Sequence, residues 1–225
     1  GMSRAPTAKA IEAAAAKGIT LTAHVVGLDG VSIFVKADAG ASQIDVATIK
    51  SIFGGVDGSG SEAACADPAR VTRWEQIAGS TQTGPLRILR RNDDSGTTDA
   101  FKSLTGVKGF CADVLPQAGT ADIAVETSTD VTAIAFAGLS GFRPGANKEL
   151  AVAKSPEGPF VLPSETTIRT FAYPLARRLY VTEAGGAVTP NAAEQALLVN
   201  VLDRNFLDPI LTANEFITCL PEGCP

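Results

Sequence analysis

The sequence contains little of the chemistry on which many enzymes and nucleic-acid-binding proteins depend. Its 225 residues include one histidine and four cysteines, and acidic residues outnumber basic ones by 24 to 19. The net charge of −5 argues against a nucleic-acid partner, because neutralising a phosphate backbone needs a basic face. A single histidine and the lack of a second close cysteine pair also make a zinc site a poor interpretation. No metal or other cofactor is predicted.

Long hydrophobic runs are absent as well. No stretch of 18 or more apolar residues occurs, so the sequence predicts no membrane-spanning helix. The first four residues lack the pattern of a signal peptide; Gly1-Met2 resembles an expression scar, and a leader could have been removed. What is present is 45% hydrophobic residues, enough to bury the core of one large domain or two smaller lobes.

The four cysteines are candidates for disulfides. Cys219 and Cys224 are separated by only four residues and can pair easily, while Cys65 and Cys111 both lie in loop-like sequence. Four cysteines permit three connectivities, and the sequence alone leaves the choice open. Disulfides form in oxidising compartments, so the composition favours a periplasmic or secreted protein.

The most informative stretch begins at Arg91, directly after a short predicted strand. It brings the arginine close to the hydroxyls of Ser95 and Thr97 and to Gly96, where a helix is predicted to begin. A helix N-terminus offers unpaired N–H groups and a partial positive charge, and a guanidinium adds a fork of donors, so together they can hold a tetrahedral oxyanion. Asp93 is placed to orient the Arg91 guanidinium. The stretch therefore predicts an anion site.

A plainer interpretation of the same stretch is an ordinary helix start. In that case Asp94 or Ser95 caps the helix, and Arg91 is a solvated surface charge. The glycine-rich segment 54–70 is predicted to be a flexible surface loop, because no Gly-Lys-Ser/Thr follows as in a phosphate loop.

The rest of the chain alternates helical and strand-like segments, which favours an α/β fold. Helices are predicted over 6–17, over 42–53 with a capping box at its start, from residue 98 onward, and over 198–206. Strand-like segments are predicted at 25–35 with an interruption at 27–30, and at 86–89, 123–125, 131–136 and 173–181.

In their order along the chain, these landmarks resemble the PstS-like phosphate-binding group of periplasmic solute-binding proteins. The Arg-x-Asp-x-Ser-Gly-Thr ligand loop of that group is matched by the stretch from Arg91 to Thr97, and its Tyr-Pro-Leu return strand by Tyr173-Pro174-Leu175. The resemblance implies a two-lobed type II fold, in which central mixed sheets are flanked by helices. It places the first lobe at 1–35 plus 179–225 and the second at 36–178.

The resemblance also implies a function: extracytoplasmic binding of phosphate or a related oxyanion, as the solute-binding component of an ABC-type uptake system with a transporter permease as partner. At the position of Arg4 the group usually carries a serine or aspartate that touches phosphate. Either Ser3 takes that role here, or Arg4 adds positive charge to the site. The implied ligand residues are Arg91, Ser95, Gly96, Thr97 and Ser3, with Asp93 and Arg4 in support.

The group's opening strand, ligand loop and long helix have no counterpart in the sequence, so the first lobe is expected to be incomplete. Phosphate binding by the isolated chain is then expected to be weak or absent, unless a second polypeptide completes the lobe. Two other functions stay open: an interaction module that no longer binds ligand, and a phosphoryl-processing enzyme. The enzyme is disfavoured, because the only histidine, His24, lies in a predicted strand and no nucleophile–base pair is apparent.

Overall fold

The computed structural model describes residues 5–220 and 223–224, which form a mixed α/β fold. The strands are β1 (Ile19–Lys36), β2 (Gln43–Asp45), β3 (Arg87–Arg91), β4 (Leu115–Gln117), β5 (Ala133–Gly138), β6 (Asn147–Glu149), β7 (Ala151–Ala153) and β8 (Ala176–Gly186). The helices are α1 (Ala8–Ala15), α2 (Val46–Gly54), α3 (Glu62–Ala66), α4 (Gly96–Thr105), α5 (Thr120–Thr129), α6 (Glu165–Arg169), α7 (Ala192–Leu202) and α8 (Arg204–Ala213). Short 3₁₀ helices lie at Trp74–Gln76 and Leu139–Gly141.

The chain divides into two compact units, Gly1–Asp29 with Arg177–Pro225 and Gly30–Ala176. The predicted boundaries, after residues 35 and 178, lie farther along the chain than these. At β1 the difference has a physical reason: the strand from Val31 to Val35 is fully buried and pairs residue by residue with β5, so this half of β1 belongs to the larger unit.

The larger unit is built on a sheet in which β4, β3 and β5 run parallel, while β1 and β6 run antiparallel to their neighbours. Side chains alternate across β5, as they do in any strand. On one face the Phe136 ring stacks on Phe101 of α4 with centroids 3.8 Å apart, and Phe53 of α2 meets Phe101 edge-on at 4.9 Å. On the other face Ala135 packs in a cluster with Ile123 of α5. Helices therefore cover both faces of the sheet.

One predicted strand, at 123–125, is wrong because these residues belong to α5. Three consecutive apolar residues favour a strand locally, but the buried positions of this segment, Ile123, Ala124 and Thr127, follow a helical spacing. Val125 is exposed. The helix is also closed at its start, since the Asp122 carboxylate accepts a hydrogen bond from the Gly119 N–H at 2.8 Å.

Other predicted elements differ in their bounds. The strand at 25–35 is not interrupted at 27–30, because Gly27 to Gly30 are part of β1. Helix α2 is capped by Asp45, whose carboxylate accepts from the Thr48 N–H at 2.9 Å, and not by a box at Ser42. The last predicted helix is two helices, since Asp203 ends α7 and caps α8.

The smaller unit pairs the first half of β1 with β8. Val26 packs against Leu207 and Leu211 of α8. Gly27 leaves room for this contact, because a Cβ atom there would lie 2.9 Å from the end of the Leu211 side chain, which would have to shift. Asp29 and Arg177 form a buried ion pair, with Nε donating to Oδ2 at 2.9 Å.

Both predicted cysteine pairs are disulfides. Cys65 and Cys111 join α3 to the loop after α4 across a separation of 46 residues, and Cys219 pairs with Cys224. The first bond lies where segment 54–70 meets the loop after α4. The backbones there are in such close contact that a Cβ atom on Gly60 would lie 2.4 Å from Gly109. Much of the predicted surface loop is thus fixed to the larger unit.

A carboxyl group is partly buried in the sheet of the larger unit. Glu149 of β6 accepts a hydrogen bond from the Ser32 hydroxyl at 2.6 Å, and the buried Tyr173 hydroxyl donates to the Val31 carbonyl at 2.9 Å. Burial raises the pKa of the Glu149 carboxyl, and the hydrogen bond from Ser32 offsets this only in part. The neutral acid is therefore favoured more in the folded chain than in the unfolded one.

This burial predicts how stability depends on pH. Because the folded state binds the Glu149 proton more tightly than the unfolded state does, the free energy of unfolding falls as pH rises from the ordinary value of 4.5 through the raised pKa. We expect Glu149→Gln to remove that loss. Urea unfolding at several pH values between about pH 4 and about pH 8 should then show that the free energy of unfolding of the variant increases relative to that of the wild type as pH rises.

The exposed Glu157 provides the matched control, because hydrogen bonding from Ser155 lowers its pKa instead. Glu157→Gln should show no comparable gain. Parallel pH profiles for Glu149→Gln and the wild type would contradict the prediction.

The long disulfide predicts a stability difference between the two cysteine pairs. Closing a loop of 46 residues restricts the unfolded chain far more than closing one of five. Replacing Cys65 and Cys111 together by serine should lower the free energy of unfolding by about 2–4 kcal/mol. The same double replacement at Cys219 and Cys224 should cost less. Equal losses in urea unfolding would show that loop closure does not determine the effect.

Candidate functional site

The carboxyl ends of three parallel strands meet at one edge of the larger unit's sheet. Arg91, the last residue of β3, pairs with Gln117 at the end of β4, and β3 pairs with β5 in the same direction. From this edge the chain continues into α4 after β3 and into α5 after β4. Both helix N-termini are therefore near the carboxyl edge, which is where open α/β sheets bind ligands.

Ser95 is the N-cap of α4, as the plainer interpretation of the loop predicts. It has an extended backbone, and its hydroxyl oxygen accepts from the Thr97 N–H at 3.2 Å. The loop before it is closed by Thr98, whose hydroxyl lies 2.7 Å from the Asn92 carbonyl and 3.1 Å from the Arg91 carbonyl. Short contacts thus fix the backbone that leads into Gly96, the first residue of the helix.

Arg91 is not the solvated charge of that plainer interpretation. Its Nη1 donates to the Thr120 hydroxyl at 2.7 Å and its Nη2 to the Ala118 carbonyl at 3.2 Å. Its Nε is buried and has no hydrogen-bond partner among the described residues. The structure thus holds the guanidinium at the start of α5 through one N–H of each terminal nitrogen.

The predicted partner of Arg91 is wrong, because Asp93 binds Arg90 instead. The two Asp93 oxygens accept from the Arg90 guanidinium at 2.9 Å each, and this guanidinium lies 4.5 Å from the Phe110 ring centroid. The hydrogen bonds from Arg90 lower the pKa of the Asp93 carboxyl. The reason is strand alternation: Arg91 shares a face with Leu89, which packs with the α5 side of the sheet, whereas Arg90 faces the phenylalanines.

The structure therefore brings Arg91, Ser95, Gly96 and Thr97 to one edge and adds Thr120, which the sequence analysis missed. A signal was present, since Gly119, Thr120 and Asp122 form a plausible helix start by sequence. It was hidden by the strand predicted just after it. Ser3 and Arg4 lie outside the described residues.

Other chemistry is sparse in the part of the chain that the structure describes. His24 lies 3.1 Å from the Glu183 carboxylate in the smaller unit. No group of three or more histidine, cysteine, aspartate or glutamate side chains among the described residues could hold a metal ion. Over the same residues, no helix has the length and apolar character needed to cross a membrane.

With this geometry established, the chain can be compared with known proteins. A family model described as a PBP superfamily domain matches residues 1–202. The chain belongs to this superfamily. It is also similar to Protein SphX of Synechococcus elongatus, at 29% identity over 175 residues, which cover 76% of this chain and 49% of SphX. The chain thus spans about half the length of that curated relative.

Solved structures give the same result for the fold. The chain matches an ABC-type phosphate transport receptor from Vibrio cholerae with a TM-score of 0.72 at 15% identity, over 96% of this chain and 78% of that one. It matches PstS from Borrelia burgdorferi with a TM-score of 0.63 at 16% identity, over 96% and 77% of the two chains. These similarities confirm the predicted α/β fold of the PBP superfamily. Nothing in them supports the predicted second polypeptide.

The cap geometry predicts a cost for removing the Ser95 hydroxyl. Ser95→Ala leaves the first turn of α4 without its side-chain acceptor, so the free energy of unfolding should fall by about 1 kcal/mol. Ser103→Ala, at an exposed position within the same helix, should be neutral or slightly stabilising. Urea unfolding of both variants tests this, and equal effects at the two serines would contradict a capping role.

Proposed function

We propose that this chain binds inorganic phosphate or a related tetrahedral oxyanion outside the cytoplasm, as the solute-binding component of an ABC-type uptake system. The observation that carries the proposal is the Arg91 guanidinium, held beside the start of α5 by two neutral acceptors, the Thr120 hydroxyl and the Ala118 carbonyl. The capped start of α4, at Ser95 and Gly96, lies at the same edge of the sheet. Support for phosphate comes from the solved relatives, one a phosphate transport receptor and another PstS.

The electrostatics of the chain agree with a local anion site. The net charge is −5, so the overall field does not attract an anion. The neighbouring arginine, Arg90, forms an ion pair with Asp93, so its positive charge is neutralised. The charge of Arg91, in contrast, is held by a hydroxyl and a carbonyl, which are neutral acceptors. Its positive charge is thus available to an oxyanion.

We assign the chain a binding role and not a catalytic one. Arginine, hydroxyls and helix amides can hold an oxyanion, but they provide no base to activate a nucleophile. The Ser95 hydroxyl is engaged with the Thr97 N–H, and His24 is paired with Glu183 in the smaller unit. Within this proposal the smaller unit corresponds to the first lobe of the type II fold and the larger unit to the second.

Titration calorimetry with inorganic phosphate tests the proposal. We expect weak but saturable binding with one site per chain by the wild type, because the first lobe is incomplete. Arg91→Ala should weaken it by at least about tenfold, because a charge-assisted hydrogen bond is lost. Arg91→Lys should fall between the two, since an ammonium keeps the charge without the fork of donors.

Arg73→Ala is the control for loss of one positive charge. Arg73 is half-exposed and paired with Glu75, and its backbone bridges to Pro85, before the amino end of β3. Its removal should leave phosphate affinity unchanged. Phosphate binding that is absent in the wild type, or unaffected by Arg91→Ala, would overturn the proposal and favour an interaction module that keeps the fold without the ligand.

A further inference from the structure

The turn between β4 and α5 holds Arg91 at two points. Because β3 and β4 are parallel, with Arg91 opposite Gln117, the three residues after Gln117 pass directly beside the arginine. Two acceptors in that turn meet the guanidinium: the Ala118 carbonyl at 3.2 Å and the Thr120 hydroxyl at 2.7 Å. The carbonyl is fixed by the backbone, whereas the hydroxyl depends on the identity of residue 120.

The two helix starts at this edge have different surroundings. At α5 the first turn already contains a negative charge, since Asp122 accepts from the Gly119 N–H. This carboxylate compensates the partial positive charge of the helix end, so a guanidinium can lie beside it. At α4 the cap is the neutral hydroxyl of Ser95, and the acidic residue of the first turn, Asp99, is exposed. The two helix starts therefore differ in their caps, a carboxylate at α5 and a hydroxyl at α4.

We propose that Thr120 is a positioning residue for Arg91, which orients the guanidinium toward a bound phosphate. This inference rests on the proposed function and gives Thr120 a role in the affinity of the chain for phosphate. Arginine has several rotatable bonds, and fixing them before the ligand arrives removes part of the entropic cost of binding. The turn engages one N–H of Nη1 and one of Nη2, so the second N–H of each nitrogen stays available to phosphate oxygens.

The test is a comparison of Thr120→Val and Thr120→Ser by titration calorimetry with inorganic phosphate. Valine has nearly the shape of threonine but no acceptor, so we expect phosphate affinity to fall about threefold to tenfold. Serine keeps the hydroxyl and should restore affinity to within about twofold of the wild type. Rescue by serine would not be expected if only packing of the threonine methyl mattered.

Thr129→Val is the matched control, because Thr129 is exposed near the end of the same helix and its hydroxyl bonds only to α5 carbonyls. It should bind phosphate like the wild type. Adding Thr120→Val to Arg91→Lys tests whether the effect passes through the arginine. A lysine does not offer two fixed nitrogen donors to this turn, so the added valine should have a clearly smaller effect than in the wild type.

The outcomes separate the two proposals. If the wild type fails to bind phosphate, or Arg91→Ala binds as well as the wild type, the proposed function is wrong. If Arg91→Ala loses affinity while Thr120→Val keeps it, the function stands and the role of Thr120 is wrong. An equal loss from Thr120→Val in the wild type and in Arg91→Lys would also overturn the positioning role.

Discussion

The parallel pairing of β3 with both β4 and β5 is the constraint on which the rest of the candidate site depends. A central strand with two parallel neighbours sends three chain segments to the same edge, and each must turn there into a helix or loop. The phenylalanine stack on one face and the α5 cluster on the other keep this sheet in place. Loss of that pairing would separate Arg91 from the turn that holds it.

Strand alternation then gives two adjacent arginines different roles. Arg90 lies over Phe110 and neutralises Asp93, so it serves the structure of the loop. Arg91 emerges on the opposite face, where its partners are neutral oxygens. A shift of one residue in the pairing of β3 would exchange these surroundings, because the side-chain period of a strand is two. The register of the sheet is therefore also what selects the binding arginine.

Much of this arrangement can be predicted from the sequence where the signals are local. The strand that ends at Arg91 and the helix that begins after Ser95 lie close together in the sequence, and Ser95 caps the helix. Both elements were predicted. The partner of Asp93 could not be chosen, since the carboxylate can reach either arginine and the choice depends on which face of the sheet each one occupies. Thr120 lies 29 residues from Arg91, and only the strand pairing brings them together. Helix α5 was missed because its three apolar residues at 123–125 have no period of their own.

The ion pair between Asp29 and Arg177 has a consequence for the order in which the chain acquires its structure. These residues are 148 positions apart, and each lies at the point where the chain passes between the two units. The larger unit is one continuous segment and can complete its core without the segments on either side of it. The first half of β1 pairs with β8, so the smaller unit can close only after the chain has passed through the whole of the larger unit.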